Sequence, residues 1–146
     1  MQAVQEMHRI LSPGGLICFT TWKSVAGIPL AMASFKQMGF KPAEAPITQA
    51  KWQDRAWLGE MMAKQGFTDT RIEEQTVDFQ VPESGLLDFG NSLQRNPAFG
   101  QFARGMTQEQ REAWPQALAD AARSLYGIRD TYSFENVALI ISGKRV

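Results

Sequence analysis

The chain has 146 residues, 44% hydrophobic and 21% charged, which is length and apolar content for one globular domain with its own core and excludes a disordered chain. Its 15 basic and 15 acidic residues cancel, and no Lys/Arg block makes a local field, so neither nucleic acid nor an acidic membrane surface is favoured as a partner. A single cysteine, Cys18, excludes an internal disulfide, and one His with one Cys argues against a zinc site. No apolar run approaches the ~20 residues of a membrane span. The N-terminus lacks the basic-then-apolar order of a signal peptide, so a soluble cytoplasmic protein is expected.

Ala3, Val4, Met7, Ile10 and Leu11 fall on one face at helical spacing, while Gln5, Glu6 and Arg9 face away. Residues 2–11 therefore read as an amphipathic helix, stopped by Ser12-Pro13-Gly14-Gly15, where the glycines can take the positive φ of a tight turn. The next stretch, LICFTTW (Leu16 to Trp22), is apolar at successive positions. That suits a strand covered on both faces, as in a parallel α/β sheet, with Cys18 as a small core residue.

GIPLAMASFKQMGF is apolar enough for a short packed helix, and KPAEAPITQA is a Pro-interrupted connection. Between Asp54 and Gln65, Trp57, Leu58, Met61 and Met62 form a helical stripe, with Asp54 as N-cap and Gly66 where a left-handed C-cap is wanted. In DTRIEEQTVDFQV, Val77, Phe79 and Val81 alternate with Asp78 and Gln80, the pattern of a half-exposed outer strand.

From Pro82 to Thr131 the period is helical again. Leu86, Phe89 and Leu93 make one stripe, Asn96-Pro97 breaks it, and Phe99, Phe102 and Met106 make another. Thr107 to Gln110 spells a capping box, opening a helix whose apolar face is Trp114, Leu118, Ala121 and Leu125, with a kink or restart expected at Pro115. Val137 to Ile141 closes the chain as a strand. The predicted order is helix, strand, helix, helix, strand, helical insertion, strand.

This order, and the opening motif E-x-x-R-x-L-x-P-G-G carried by Glu6, Arg9, Leu11, Pro13, Gly14 and Gly15, resemble the C-terminal half of a class I S-adenosylmethionine-dependent methyltransferase of the small-molecule, secondary-metabolism type. The TTW that follows, Gly66-Phe67 after an amphipathic helix, and the closing apolar strand fit the same pattern. The resemblance implies an α/β fold, the C-terminal part of a Rossmann-like sheet. Leu16 to Trp22 would be strand five, roughly 70–81 strand six and 137–143 strand seven, with strand five beside strand seven. Residues 1–146 would then be one partial methyltransferase domain, with 82–131 a helical lid insertion.

The resemblance implies S-adenosylmethionine as the family's cofactor. Its Gly-rich turn after the first strand and its ribose-binding acidic residue have no counterpart here: Gly14-Gly15, Gly85, Gly90 and Gly105 give no G-x-G turn between a strand and a helix. No cofactor binding is expected of this chain alone. The expected partners are a small-molecule acceptor and a complementary N-terminal half, or a second copy pairing with the open edge of strand five.

Thr20, Thr21 and Trp22 have the strongest positional case as acceptor contacts, because ligands of open α/β sheets bind beyond the carboxyl ends of strands. Phe89, Phe99, Phe102 and Trp114 read first as a helical core. A lid in this family covers small substrates, so Phe99 and Phe102 are also pocket candidates. Glu6 and Arg9 read as a surface pair and His8 as a solvated side chain. No catalytic residue stands out. Three functions remain: a methyltransferase half that needs its partner, a relic inactive alone, and a non-catalytic small-molecule-binding or scaffold protein.

Overall fold

The computed structural model describes residues 2–43 and 50–146. The elements run α1 (Gln2–Ile10), β1 (Leu16–Val25), α2 (Gly27–Gln37), a 3-10 turn (Ala50–Gln53), α3 (Arg55–Lys64), β2 (Phe67–Pro82), a second 3-10 turn (Glu83–Gly85), α4 (Leu86–Arg95), α5 (Pro97–Gly100), α6 (Gln108–Tyr126) and β3 (Thr131–Arg145). This is the predicted order. Most of the Pro-interrupted connection, residues 44–49, lies outside the described residues.

The strands form one sheet in the order β1-β3-β2, so the last strand lies between the other two. Both pairings are antiparallel. The Gly14 N–H donates to the Arg145 carbonyl (2.9 Å) and the Arg145 N–H to that of Gly15 (2.8 Å), which sets the start of β1 against the end of β3. On the other side Val146 N–H reaches the Gly66 carbonyl (3.2 Å), and Glu83 N–H reaches that of Asp130 (2.9 Å). The expected parallel, doubly covered β1 is thus corrected. Ile17 is its one buried residue among mostly exposed neighbours, and Cys18 is exposed rather than in a core. Side chains alternate across a strand, and among the described residues the Ile17 face is the one that meets packed helices.

The chain divides into two compact units, with β2 and β3 running from one into the other. The first comprises Met1–Ser24, Gln49–Val77 and Asn136–Val146. Its core joins Val4 of α1, Ile17 of β1, Leu58, Met61 and Met62 of α3, Phe67 of β2, and Leu139 and Ile141 of β3. Ile72 packs on the same cluster although it lies five residues beyond Phe67, a spacing that an uninterrupted strand would split between faces. Asp69, at φ 51°, takes up the extra residue as a bulge does. The last carbonyls of α1 have no intrahelical donor, and the Arg145 guanidinium supplies one to Leu11 and, at 3.4 Å, to Arg9.

Local stop and start signals behave as read. Asp54 caps α3 by accepting from the N–H groups of Ala56 (2.8 Å) and Trp57 (3.2 Å), and Gly66 follows the helix at φ 82°. Asn96 caps α5, with Pro97 in its first turn.

The second unit comprises Val25–Thr48 and Asp78–Glu135. Helix α6 packs against α2 and α4, around a core that includes Leu30, Phe35, Leu86, Phe99, Phe102, Trp114, Leu118, Tyr132 and Phe134. Thr107 and Gln110 form both halves of the capping box that opens α6. The helix then continues through Pro115 for 19 residues, so no restart occurs there. Pro115 leaves the Arg111 carbonyl without its helical donor, and the Gln94 side-chain amide of α4 donates to it at 2.7 Å. Gly90 permits the close approach: a Cβ there would lie 2.7 Å from the Pro115 carbonyl oxygen. Leu125, read as part of the buried face, is 50% exposed, and its neighbour Tyr126 packs on the core instead.

Candidate functional site

Thr20, Thr21 and Trp22 lie toward the carboxyl end of β1, in the first unit. Strand alternation puts Thr20 and Trp22 on one face and Thr21 on the other. Thr20 is exposed, Thr21 half-buried, and Trp22 keeps 42% of its surface in solvent. Next to them, the Lys23 ammonium donates to both carboxylate oxygens of Glu74 at 2.8 Å each, spanning β3 from one outer strand to the other. Both side chains are substantially solvated, so this bridge orients more than it stabilises. Beyond β1 no further strand pairs with its outer edge among the described residues.

Phe99 and Phe102 belong to the second unit and are 4% and 2% exposed. Their rings lie 6.1 Å apart, and Phe102 is 6.5 Å from Phe35, which stacks on Trp114 at 5.0 Å. In that position they supply packing within the helical unit. Gly27, opening α2, fits against Phe99 so closely that a Cβ would come within 2.7 Å of the ring. The candidate residues therefore fall into two groups, one per unit.

A cavity of about 330 Å³ opens at the other end of β1, lined by Leu16, Cys18, Asp69, Arg71, Ser142 and Lys144. Sequence reasoning missed it, because it depends on the neighbour relations of three strands and on the Asp69 bulge. His8 also differs from its reading: its ring meets Phe67 edge-on at 5.1 Å and lies against Gly66, where a Cβ would be 3.0 Å from Nε2. Glu6 and Arg9 form the expected exposed pair, at 2.9 and 2.6 Å.

The strongest electrostatic cluster sits in the second unit. Arg123 Nε and Nη2 both donate to Glu83 Oε1, at 2.8 and 2.6 Å, and its Nη1 donates to Asp120 at 2.7 Å. Arg123 first, and then the Tyr132 hydroxyl, hold the Glu83 carboxyl below its ordinary range. Burial, and then Glu83, push the Tyr132 phenol up. A carboxylate held ionised this firmly is a weak general base, and the cluster reads as a clamp from the turn before α4 to the end of α6.

Among the described residues no group of three or more His, Cys, Asp or Glu is placed to hold a metal ion. No described helix is long and apolar enough to cross a membrane. No protein-family model matches the chain. Among solved structures it is similar to the Haemonchus contortus phospholethanolamine N-methyltransferase 2 in complex with phosphomonomethylethanolamine and S-adenosylhomocysteine, with 12% sequence identity and a TM-score of 0.37 over 97% of this chain. The chain spans 29% of that protein's length.

Proposed function

We propose that this chain is the strand-five-to-seven portion of an S-adenosylmethionine-dependent methyltransferase domain serving the methylation of a small secondary metabolite, with the cofactor cradle supplied by residues outside these 146 and no activity without them. The observation that carries the reading is the pairing of β1 with β3, strands distant in sequence, which the resemblance calls for between strands five and seven. The motif supports it locally: α1 ends at Ser12-Pro13-Gly14-Gly15, with Gly14 at φ 78°, and β1 begins at once. Methyl transfer asks mostly for in-line positioning of the acceptor. On this reading the Thr20 and Thr21 hydroxyls and the half-solvated Trp22 ring orient the acceptor, residues 82–131 are the lid insertion, and Phe99 and Phe102 belong to that lid. The outer edge of β1 receives a strand of the complementary half.

The test is to read the coding sequence upstream of Met1 and to assay the extended polypeptide for methyl transfer to phenols, amines and carboxylates. The proposal expects an in-frame strand–G-x-G-x-G–helix and acceptor-dependent release of S-adenosylhomocysteine. An extended polypeptide without that segment and without transfer overturns it.

A further inference from the structure

A second cavity, also about 330 Å³, lies between the 3-10 turn at Ala50–Gln53 and α3, and none of the acceptor candidates lines it. Its walls are Trp52 and Trp57, its base the buried Met61, and its rim Lys51, Glu60 and Lys64. The two indoles meet edge to face, with centroids 5.3 Å apart and planes at 75°, and both stay half-buried. Local backbone bonds hold them there: Asp54 N–H donates to the Lys51 carbonyl (3.2 Å), and the Asp54 carboxylate accepts from Ala56 and Trp57. The aromatic walls are therefore built before any ligand arrives.

The rim carries two ammonium groups and one carboxylate. Glu60 lies 3.6 Å from Lys64 as an exposed i,i+4 pair, while the Lys51 ammonium has no partner among the described residues. Among the described residues the rim carries one net positive charge, beside two electron-rich ring faces. Flat rings stack on indole, and a single negative group satisfies the excess cation. The volume falls at the small end of the roughly 300–1,000 Å³ typical of small-molecule sites.

We propose that this cavity binds a planar aromatic molecule bearing one anionic group, an aryl carboxylate being the simplest. The site is separate from methyl transfer and does not depend on the function proposed above.

The experiment uses the whole chain, 15N-labelled, with 2-naphthoate as probe and 2-naphthylmethanol as its neutral counterpart. Four tryptophans give four indole N–H signals, so Trp22 and Trp114 serve as internal references. Expected is a saturable shift of the Trp52 and Trp57 signals while the other two stay still, with naphthylmethanol weaker by about threefold, the size of one solvated charge contact. The variant Lys51→Gln, which takes the rim to no net charge, should bring naphthoate down to the neutral probe's affinity. All four of its indole signals should stay in their native positions, showing that the fold is kept. No saturable shift at millimolar naphthoate, equal movement of all four indoles, or equal affinity for the two probes in the wild-type chain would each overturn the proposal.

Discussion

The Gln94 side-chain amide donates to the backbone carbonyl of Arg111 at 2.7 Å, filling from α4 the hydrogen bond that Pro115 cannot make within α6. The proline is thereby accommodated without ending the helix, and α4 and α6 are tied at one point. Gln94→Ala should cost about 1 kcal/mol in urea unfolding, the usual net worth of such a bond. In a Pro115→Ala background the substituted residue's own N–H supplies the missing helical donor, so the same substitution should cost measurably less. Equal costs in the two backgrounds would separate the two residues.

Gly90 should not tolerate alanine, although alanine is the better helix former by about 1 kcal/mol. The added Cβ would meet the Pro115 backbone, its carbonyl oxygen at 2.7 Å, and backbone cannot step aside as a flexible side chain does. Gly90→Ala is expected to destabilise by about 1–3 kcal/mol, as overpacking does, read as a lower urea midpoint.

Ser34 is fully buried, donates to the Ala31 carbonyl at 2.8 Å and accepts from the Trp114 indole N–H at 2.9 Å. Ser34→Ala removes the one acceptor that the described residues give that buried indole. The expected cost is about 1–3 kcal/mol, with an altered near-ultraviolet signal from the Phe35–Trp114 stack.

Acid should act through Glu83. Its folded pKa is lowered by Arg123 and Tyr132, so its contribution is present above the ordinary carboxylate range and is lost as pH falls through the lowered value. Tyr132 acts in the opposite sense: its folded pKa is raised, so its contribution is present below the ordinary phenol range and is lost as pH rises through the raised value. Melting temperatures from acid to neutral pH should show a shallower acid limb in Glu83→Gln than in the wild-type chain. An unchanged acid limb would contradict this.

The outer edge of β1, which no strand pairs with among the described residues, should make the isolated chain associate with a second copy, because unpaired backbone groups along a strand are a template for another strand. Cys18→Lys is the clean probe, since Cys18 is exposed while Phe19 packs on the core of its unit. Sedimentation velocity should show less association in that variant. A wild-type chain that runs as a stable monomer would contradict the expectation.

What was legible in the sequence was chemistry confined to a few neighbouring residues. Asp54, Thr107 with Gln110, Asn96-Pro97 and the turn glycines Gly14 and Gly66 act within one turn of chain, and each behaves as its residue type requires. Contacts made across the fold were not legible. Trp114 meets Ser34 across 80 positions, Gln94 finds Arg111 across 17, and nothing local announces either. The apolar run of β1 suggested cover on both faces, because composition records hydrophobicity and not which face a helix meets. Of the candidate site, the β1 residues Thr20, Thr21 and Trp22 were placed correctly on their strand, whereas the pairing of Trp52 with Trp57 required a 3-10 turn that no periodicity marks.

On the function we propose, the chain carries the substrate side of a methyltransferase fold and the cofactor cradle lies in residues outside these 146. Calorimetric titration of S-adenosylmethionine tests this most directly, run on the 146-residue chain and on the polypeptide extended upstream of Met1. The account predicts no saturable heat from the first and one-to-one binding by the second. A one-to-one micromolar isotherm from the 146-residue chain alone would contradict it.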